Sequence, residues 1–372
     1  MDKQRKEQAP NPRCTANILS IVTFAWLFKI FSIGYRREIK KEDLYSPLKE
    51  HSSHYLGEKI SKLWDEEAIK CKNSQEKLTP SLLRVLTRYF GNDFLLFGIC
   101  LGIIEFGVKT TQPIILSYLL KYFGNKCVMS QRNALYWGSL LILGLVIDCI
   151  VSYHVFHGLT HMGMKLRVAC SSLIYKKILR ISKVATEDKM CSGQIMNLLT
   201  NDVNRLDYSV FMIHYIWIAP LQTIVVSYLL YQEMGLAPLI GIIALIMFIP
   251  IHGCYGRLVS KFTREFSHKT DERLRLTNEI LKGITVIKMY AWENWFQDIV
   301  EKARRTEIKS VKNSLVATEL IWSLEKYIPR LGIFMTILVY IMCGNDIDAA
   351  KAFLVTAFFN VLRSSLYRTL SL

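Results

Sequence analysis

The feature that most constrains this chain is a series of six long apolar stretches joined by connections that alternate between very short and very long. The stretches run over about residues 93–123, 134–157, 210–231, 236–251 and 315–342, with a sixth that starts near 349 and is still apolar at Leu366. A bilayer core is crossed by ~20 apolar residues in an α-helix, and lipid leaves helix as the one open-ended way to satisfy every backbone group. The fourth stretch is short by itself and is expected to continue as helix into the polar sequence beyond it. The fold class that follows is an all-α membrane protein, a six-helix bundle with long cytosolic helical extensions.

The connections after stretches one, three and five cover about 123–133, 232–235 and 343–348, whereas those after two and four each exceed 50 residues. Of the 47 Lys and Arg residues, 38 fall in the first 92 residues and the two long connections, and three in the short ones, Lys121 at the lip of the first included. Basic residues collect on the cytosolic side of membrane proteins, so both termini and both long connections are expected in the cytosol. The net charge of +16 is therefore spread between spans, which speaks against a nucleic-acid partner and for a lipid bilayer. Nine cysteines stand singly with no CxxC pair, so no disulfide framework or zinc module is indicated.

Both long connections carry apolar residues at helical spacing and contain no proline, which predicts helical hairpins rather than disorder. Two antiparallel helices of ~25–30 residues reach about 40 Å from the membrane at ~1.5 Å per residue. Stalks of that length suit a machine that receives force from a cytosolic partner. In the N-terminal region, residues 18–35 are apolar apart from Lys29 but are flanked by Arg13 and by Arg36, Arg37, Lys40 and Lys41. Basic flanks on both sides favour an interfacial or re-entrant element over a span. Residues 79–89, TPSLLRVLTRY, read as an amphipathic helix on the membrane surface.

The first long connection holds KLRVACSSLIYKKILRIS at 165–182 and SGQIMNLLTNDVNRLD at 192–207; the second holds NEILKGITVIKMYAWENWF at 278–296. These strings closely resemble the intracellular loops of the multidrug resistance-associated (C) subfamily of ABC exporters, and IKMYAWE is the most specific of them. The resemblance covers nearly the whole chain from about residue 10. It implies a lasso-like N-terminal region (1–78), an elbow helix (79–92) and a first transmembrane domain (93–372) whose sixth span stops short. It further implies a coupling helix at Tyr290, Trp292, Glu293, Asn294 and Trp295, and a second at Lys183, Val184, Ala185, Thr186 and Glu187. Each would dock on a nucleotide-binding domain. Independently of the resemblance, Tyr290, Trp292, Trp295 and Phe296 set four aromatics on one loop tip, a costly exposure unless a partner covers them.

The sequence holds no GxxxxGK[ST] phosphate loop and no LSGGQ-type signature, so no ATPase chemistry and no cofactor is expected on this chain. The resemblance implies that ATP and Mg belong to nucleotide-binding domains absent here, the chain being a fragment or a truncated product. It also implies two nucleotide-binding domains and a second transmembrane domain as partners, a plasma-membrane location, and amphipathic anionic small molecules as cargo. Alternatives within the same subfamily are an ATP-gated anion channel or channel regulator, and a truncated, non-transporting partner.

Charges inside spans cost ~2.5–3.5 kcal/mol each on insertion scales and call for a reason. Lys109, Arg330 and Arg363 all fall near mid-depth. Glu105, four residues before Lys109, is placed to pair with it, and Asp148 with Arg330 or Arg363. Internal ion pairing explains part of this set; one cation left over is where an anionic cargo would balance the charge. Gln112 beside Pro113, Trp217, Phe359, and the i, i+3, i+7 set Asn360, Arg363 and Tyr367 complete the candidate pathway. His154, His157 and His161 share one helix face and read as polar lining of the inner vestibule rather than as metal ligands. No catalytic residues are expected.

Overall fold

A computed structural model describes residues 9–73, 79–123, 130–180 and 192–370. Its elements are helical throughout the described residues, in two compact units, residues 1–222 and 223–371. The N-terminal region opens with a short turn at Pro12–Cys14, then α1 (Ile18–Val22) and α2 (Phe28–Arg36), and α3 (Ser53–Asn73). The first unit continues with α4 (Leu82–Gly102), a π-helical turn (Ile103–Val108), α5 (Lys109–Lys121), α6 (Gln131–Arg180) and α7 (Ser192–Asn197). The boundary falls within α8 (Val203–Met234); the second unit then holds α9 (Ala237–Lys282), α10 (Ile284–Met289), α11 (Glu293–Met342) and α12 (Ala349–Leu370).

All six apolar stretches are helical, and four of the helices they form are long and apolar enough to cross a membrane: 82–121, 131–180, 209–234 and 237–282. The chain is an all-α, multi-pass membrane protein. In α11 the apolar stretch is interrupted by Glu325, Lys326 and Arg330, and in α12 by Lys351, Arg363 and Arg368, which keeps both below the same hydropathy. The fourth stretch does run on into polar helix, as its shortness required, with α9 unbroken as far as Lys282. The outer surface of α6 displays Ile142, Leu143, Leu145 and Val146 about half exposed, which is tolerable in lipid and costly in water.

Residues 18–35 do not form one continuous helix. Phe24 takes a left-handed conformation (φ 55°), which breaks the segment into five- and nine-residue helices on either side of a 3-10 turn. A nine-residue helix reaches only about 14 Å. The residue opposite this break is His154, whose ring stacks on Phe24 at 4.6 Å and whose Nε2 lies 3.0 Å from the Val22 carbonyl. His157 meets the same Phe24 edge-on, and Arg13 Nη1 lies 3.3 Å from His161 Nδ1. The histidine row of α6 therefore receives the N-terminal segment. Spacing shows that three side chains share a face, not what covers the face.

The core of the first unit joins α3, α4, α6 and α8 through Ile60, Phe90, Leu101, Leu159, Tyr215 and Ile218. Glycine permits the closest approach: a Cβ on Gly163 of α6 would sit 2.6 Å from the Asp207 carbonyl oxygen of α8. Just beyond, Arg167 clamps the same pair of helices through Asp207 at 2.9 Å and Asn204 at 2.7 Å. In the second unit α9 and α11 pack along much of their length. At the apolar end Gly241 faces Gly332, where a Cβ on either would meet the other's carbonyl oxygen, at 2.5 and 3.1 Å. At the polar end buried Glu307 of α11 takes bonds from Arg273 Nε (2.7 Å) and Thr270 (2.8 Å) of α9, and from Arg304 (2.6 Å) of its own helix.

Candidate functional site

In the first unit the site is built around the π-helical turn. A π register releases one residue of slack, and here it swings Glu105 inward to near-complete burial. Its carboxylate accepts from Lys109 Nζ at 2.7 Å, the Tyr215 hydroxyl at 3.0 Å and Gln222 Nε2 at 3.4 Å. Its backbone carbonyl accepts from the Thr110 hydroxyl at 2.8 Å and again from Gln222 at 3.0 Å. The Glu105–Lys109 pairing thus forms as its spacing predicts. Tyr215 and Gln222 were missed, although polar groups seven residues apart in an apolar helix share a face and are a legible signal.

Gln112 stands one turn beyond Lys109 with a buried amide nitrogen that has no hydrogen-bond partner among the described residues. Trp217 lies partly exposed, with its ring edge over Gly102. Asp148 accepts from Ser152 on its own helix at 2.8 Å.

In the second unit Arg363 and Tyr367 of α12 line a small cavity of about 30 Å³ with Glu325 and Pro329 of α11 and Leu245 and Phe248 of α9. Glu325 is the acid that the sequence-based charge balance left out, and it faces the same cavity as Arg363. Asn360 is exposed on the same stripe of α12, and Arg330 is exposed on α11. Phe359 is placed differently: fully buried, its ring lies against Gly241 and Gly332, so it packs the helix crossing and turns no face outward. An apolar wall was the natural expectation for an aromatic beside Asn360, but two facing glycines make a slot that a ring fills.

The tip of the α9–α11 hairpin is a three-part turn. Gly283 ends α9, α10 makes a turn and a half, and Ala291 in a left-handed conformation (φ 51°) reverses the chain into α11. Ile287 is buried beneath the turn and its carbonyl accepts from the Trp292 amide at 3.0 Å. The rings stay outside: Tyr290, Trp292 and Trp295 are 64%, 50% and 61% exposed. Tyr290 stacks on Trp292 at 5.1 Å, and Lys288 pairs with Glu293 at 3.0 Å, which stiffens the tip while leaving its apolar surface open. Asn294 follows in the first turn of α11. The other expected coupling residues, 183–187, lie outside the described residues.

Residues 95–366 match the family described as ABC transporter transmembrane region. The chain is 35% identical over 361 residues to human ATP-binding cassette sub-family C member 4, covering 96% of this chain and 27% of that protein. The mouse protein of the same name is 33% identical over 360 residues, again covering 27% of its length. The probable multidrug resistance-associated protein lethal(2)03659 of Drosophila melanogaster is 33% identical over 365 residues, covering 98% of this chain and 26% of the fly protein. The chain thus spans about a quarter of the length of these relatives. With a match over most of its length and a helical architecture to go with it, this chain belongs to the ABC transporter transmembrane region family.

Proposed function

We propose that this chain forms one membrane-spanning half of an ATP-driven exporter of organic anions, conjugates and drugs. The observation that carries the proposal is the α9–α11 hairpin, a helix pair clamped at Glu307 and ending in an ordered but uncovered aromatic tip. Exposed rings held by a stiff turn are the form of a docking knob. In this reading the knob seats on a nucleotide-binding domain, which brings ATP and Mg, and the chain works with two such domains and a second membrane half. Both termini are cytosolic and the plasma membrane is the site of action. The residues that would meet cargo are Lys109 and Gln112 of the first unit, and Arg330, Asn360, Arg363 and Tyr367 of the second. A guanidinium suits a carboxylate, sulfate or phosphate, through paired hydrogen bonds. Within the chain, Glu105 already answers Lys109 and Glu325 faces Arg363, so an anionic cargo competes with resident carboxylates for these cations. Inside-out vesicles bearing the assembled transporter should accumulate a glutathione- or glucuronide-conjugated anion only with hydrolysable ATP. Sustained single-channel currents under the same conditions would show an ATP-gated anion channel and overturn the pump.

A further inference from the structure

A second cavity, of about 600 Å³, lies where the N-terminal segment crosses α4 and α6, and its described lining includes none of the candidate pathway residues. One wall is basic: Arg13 and Lys49 come from the N-terminal segment and Lys165 from α6. The rest of the lining is largely apolar, with Phe90, Leu96 and Phe97 of α4 and Met162 of α6, one turn from Lys165. The cavity sits where α4 changes from polar to apolar sequence, at Asp93–Phe94. Leu96 is 61% exposed at its edge, so the apolar wall is continuous with the surface that α4 turns toward lipid. A headgroup-sized basic pocket that opens along an apolar helix face has the two halves of a phospholipid site.

The charges leave room for an anion. Glu50 offsets Lys165 at 3.3 Å, and Asp93, which also lines the cavity, is solvent-exposed. Arg13 meets a ring nitrogen of His161 rather than a carboxylate. His51, which lies against His161, is held below its usual value by burial first and then by the nearby Lys165 and Arg13, with Glu50 opposing them.

We infer that this cavity binds the phosphate headgroup of an anionic phospholipid, with Arg13 and Lys49 as its principal ligands and an acyl chain laid along Leu96 and Phe97. With the orientation proposed above, the lipid comes from the cytoplasmic leaflet, where anionic lipids concentrate. The lipid would bridge the N-terminal segment to α4 and α6, fastening the segment to the membrane domain from the membrane side. The phosphate chemistry alone is shared with soluble phosphate esters; the apolar wall is what selects a lipid.

The test is binding of three probes to the purified chain in neutral detergent: dioctanoyl phosphatidic acid, dioctanoyl phosphatidylcholine and glycerol 3-phosphate. Phosphatidic acid is expected to bind at least about tenfold more tightly than either of the others, because only it satisfies both walls. Arg13→Gln with Lys49→Gln should remove that preference, and Lys49→Gln alone, at an exposed position, should weaken it without affecting the fold. Lys309→Gln with Lys312→Gln, two exposed cations on the stalk, should leave it intact. Equal binding of phosphatidylcholine, or equal loss in the stalk variant, would overturn the site. Glycerol 3-phosphate binding as tightly as phosphatidic acid would overturn the lipid assignment.

Discussion

Glu307 shows how much of the stalk rests on single residues. It is buried, takes bonds from two arginines and a threonine, and its carboxyl is held down to about 2 by Arg273 first, then Arg304. A carboxylate with a lowered value contributes stability that is complete above its unfolded value, near 4.5, and is lost as pH falls toward 2. Glu307→Gln should therefore raise hydrogen exchange along 263–273 and 304–314 at neutral pH, with the gap from the native chain closing by about pH 2. A gap that persists unchanged at that acidity would mean the clamp acts through packing and not charge. Within the membrane, the facing of Arg363 and Glu325 yields a second prediction for the assembled transporter. Arg363→Ala should raise the KM for a dianionic conjugate by roughly tenfold or more, the worth of one charged hydrogen bond. Glu325→Gln, which removes the competing carboxylate, should move it the other way. Unchanged uptake in both variants would take Arg363 out of the pathway.

At the scale of helices, the sharpest prediction concerns the Gly241–Gly332 crossing. Gly241→Ala puts a methyl group 2.5 Å from a backbone carbonyl and 2.6 Å from the Phe359 ring, and backbone cannot step aside as a flexible side chain can. It should cost about 1–3 kcal/mol, read as a fall in the thermal midpoint of the detergent-solubilised chain. Gly253→Ala, on the same helix with open space around it, should be neutral or stabilising by up to about 1 kcal/mol. Equal midpoints for the two variants would show that the crossing is loose.

The helices themselves were legible beforehand, because apolar length and loop charge are counted along the chain. The tip was legible too, since four aromatics in a polar loop stand out locally. What escaped was everything that depends on which distant residues meet. The π register that buries Glu105 leaves no mark in hydropathy. Tyr215 and Gln222 are legible as one polar face, but that Glu105 is what they meet is not. Phe359 resembles cargo wall until two glycines from other helices close around it. Even the histidine row, found correctly as one face, faces Phe24 from more than a hundred residues away.

For the molecule as a whole, the distribution of basic residues underlies the proposed orientation, and the distribution of exposed aromatics the proposed coupling. An epitope inserted in 343–348 should be reached by antibody on intact cells, and one at the N-terminus only after permeabilisation; the reverse pattern would contradict the proposed topology. The most direct test of the central claim, that this chain is a transport pathway driven through its α9–α11 tip, is ATP-dependent uptake of a conjugated anion by inside-out vesicles carrying the assembled transporter with Trp292→Ala and Trp295→Ala. Uptake should fall by at least about tenfold, as expected for truncating paired aromatic anchors, while nucleotide binding by the partner domains persists. Undiminished uptake in that variant would contradict the account.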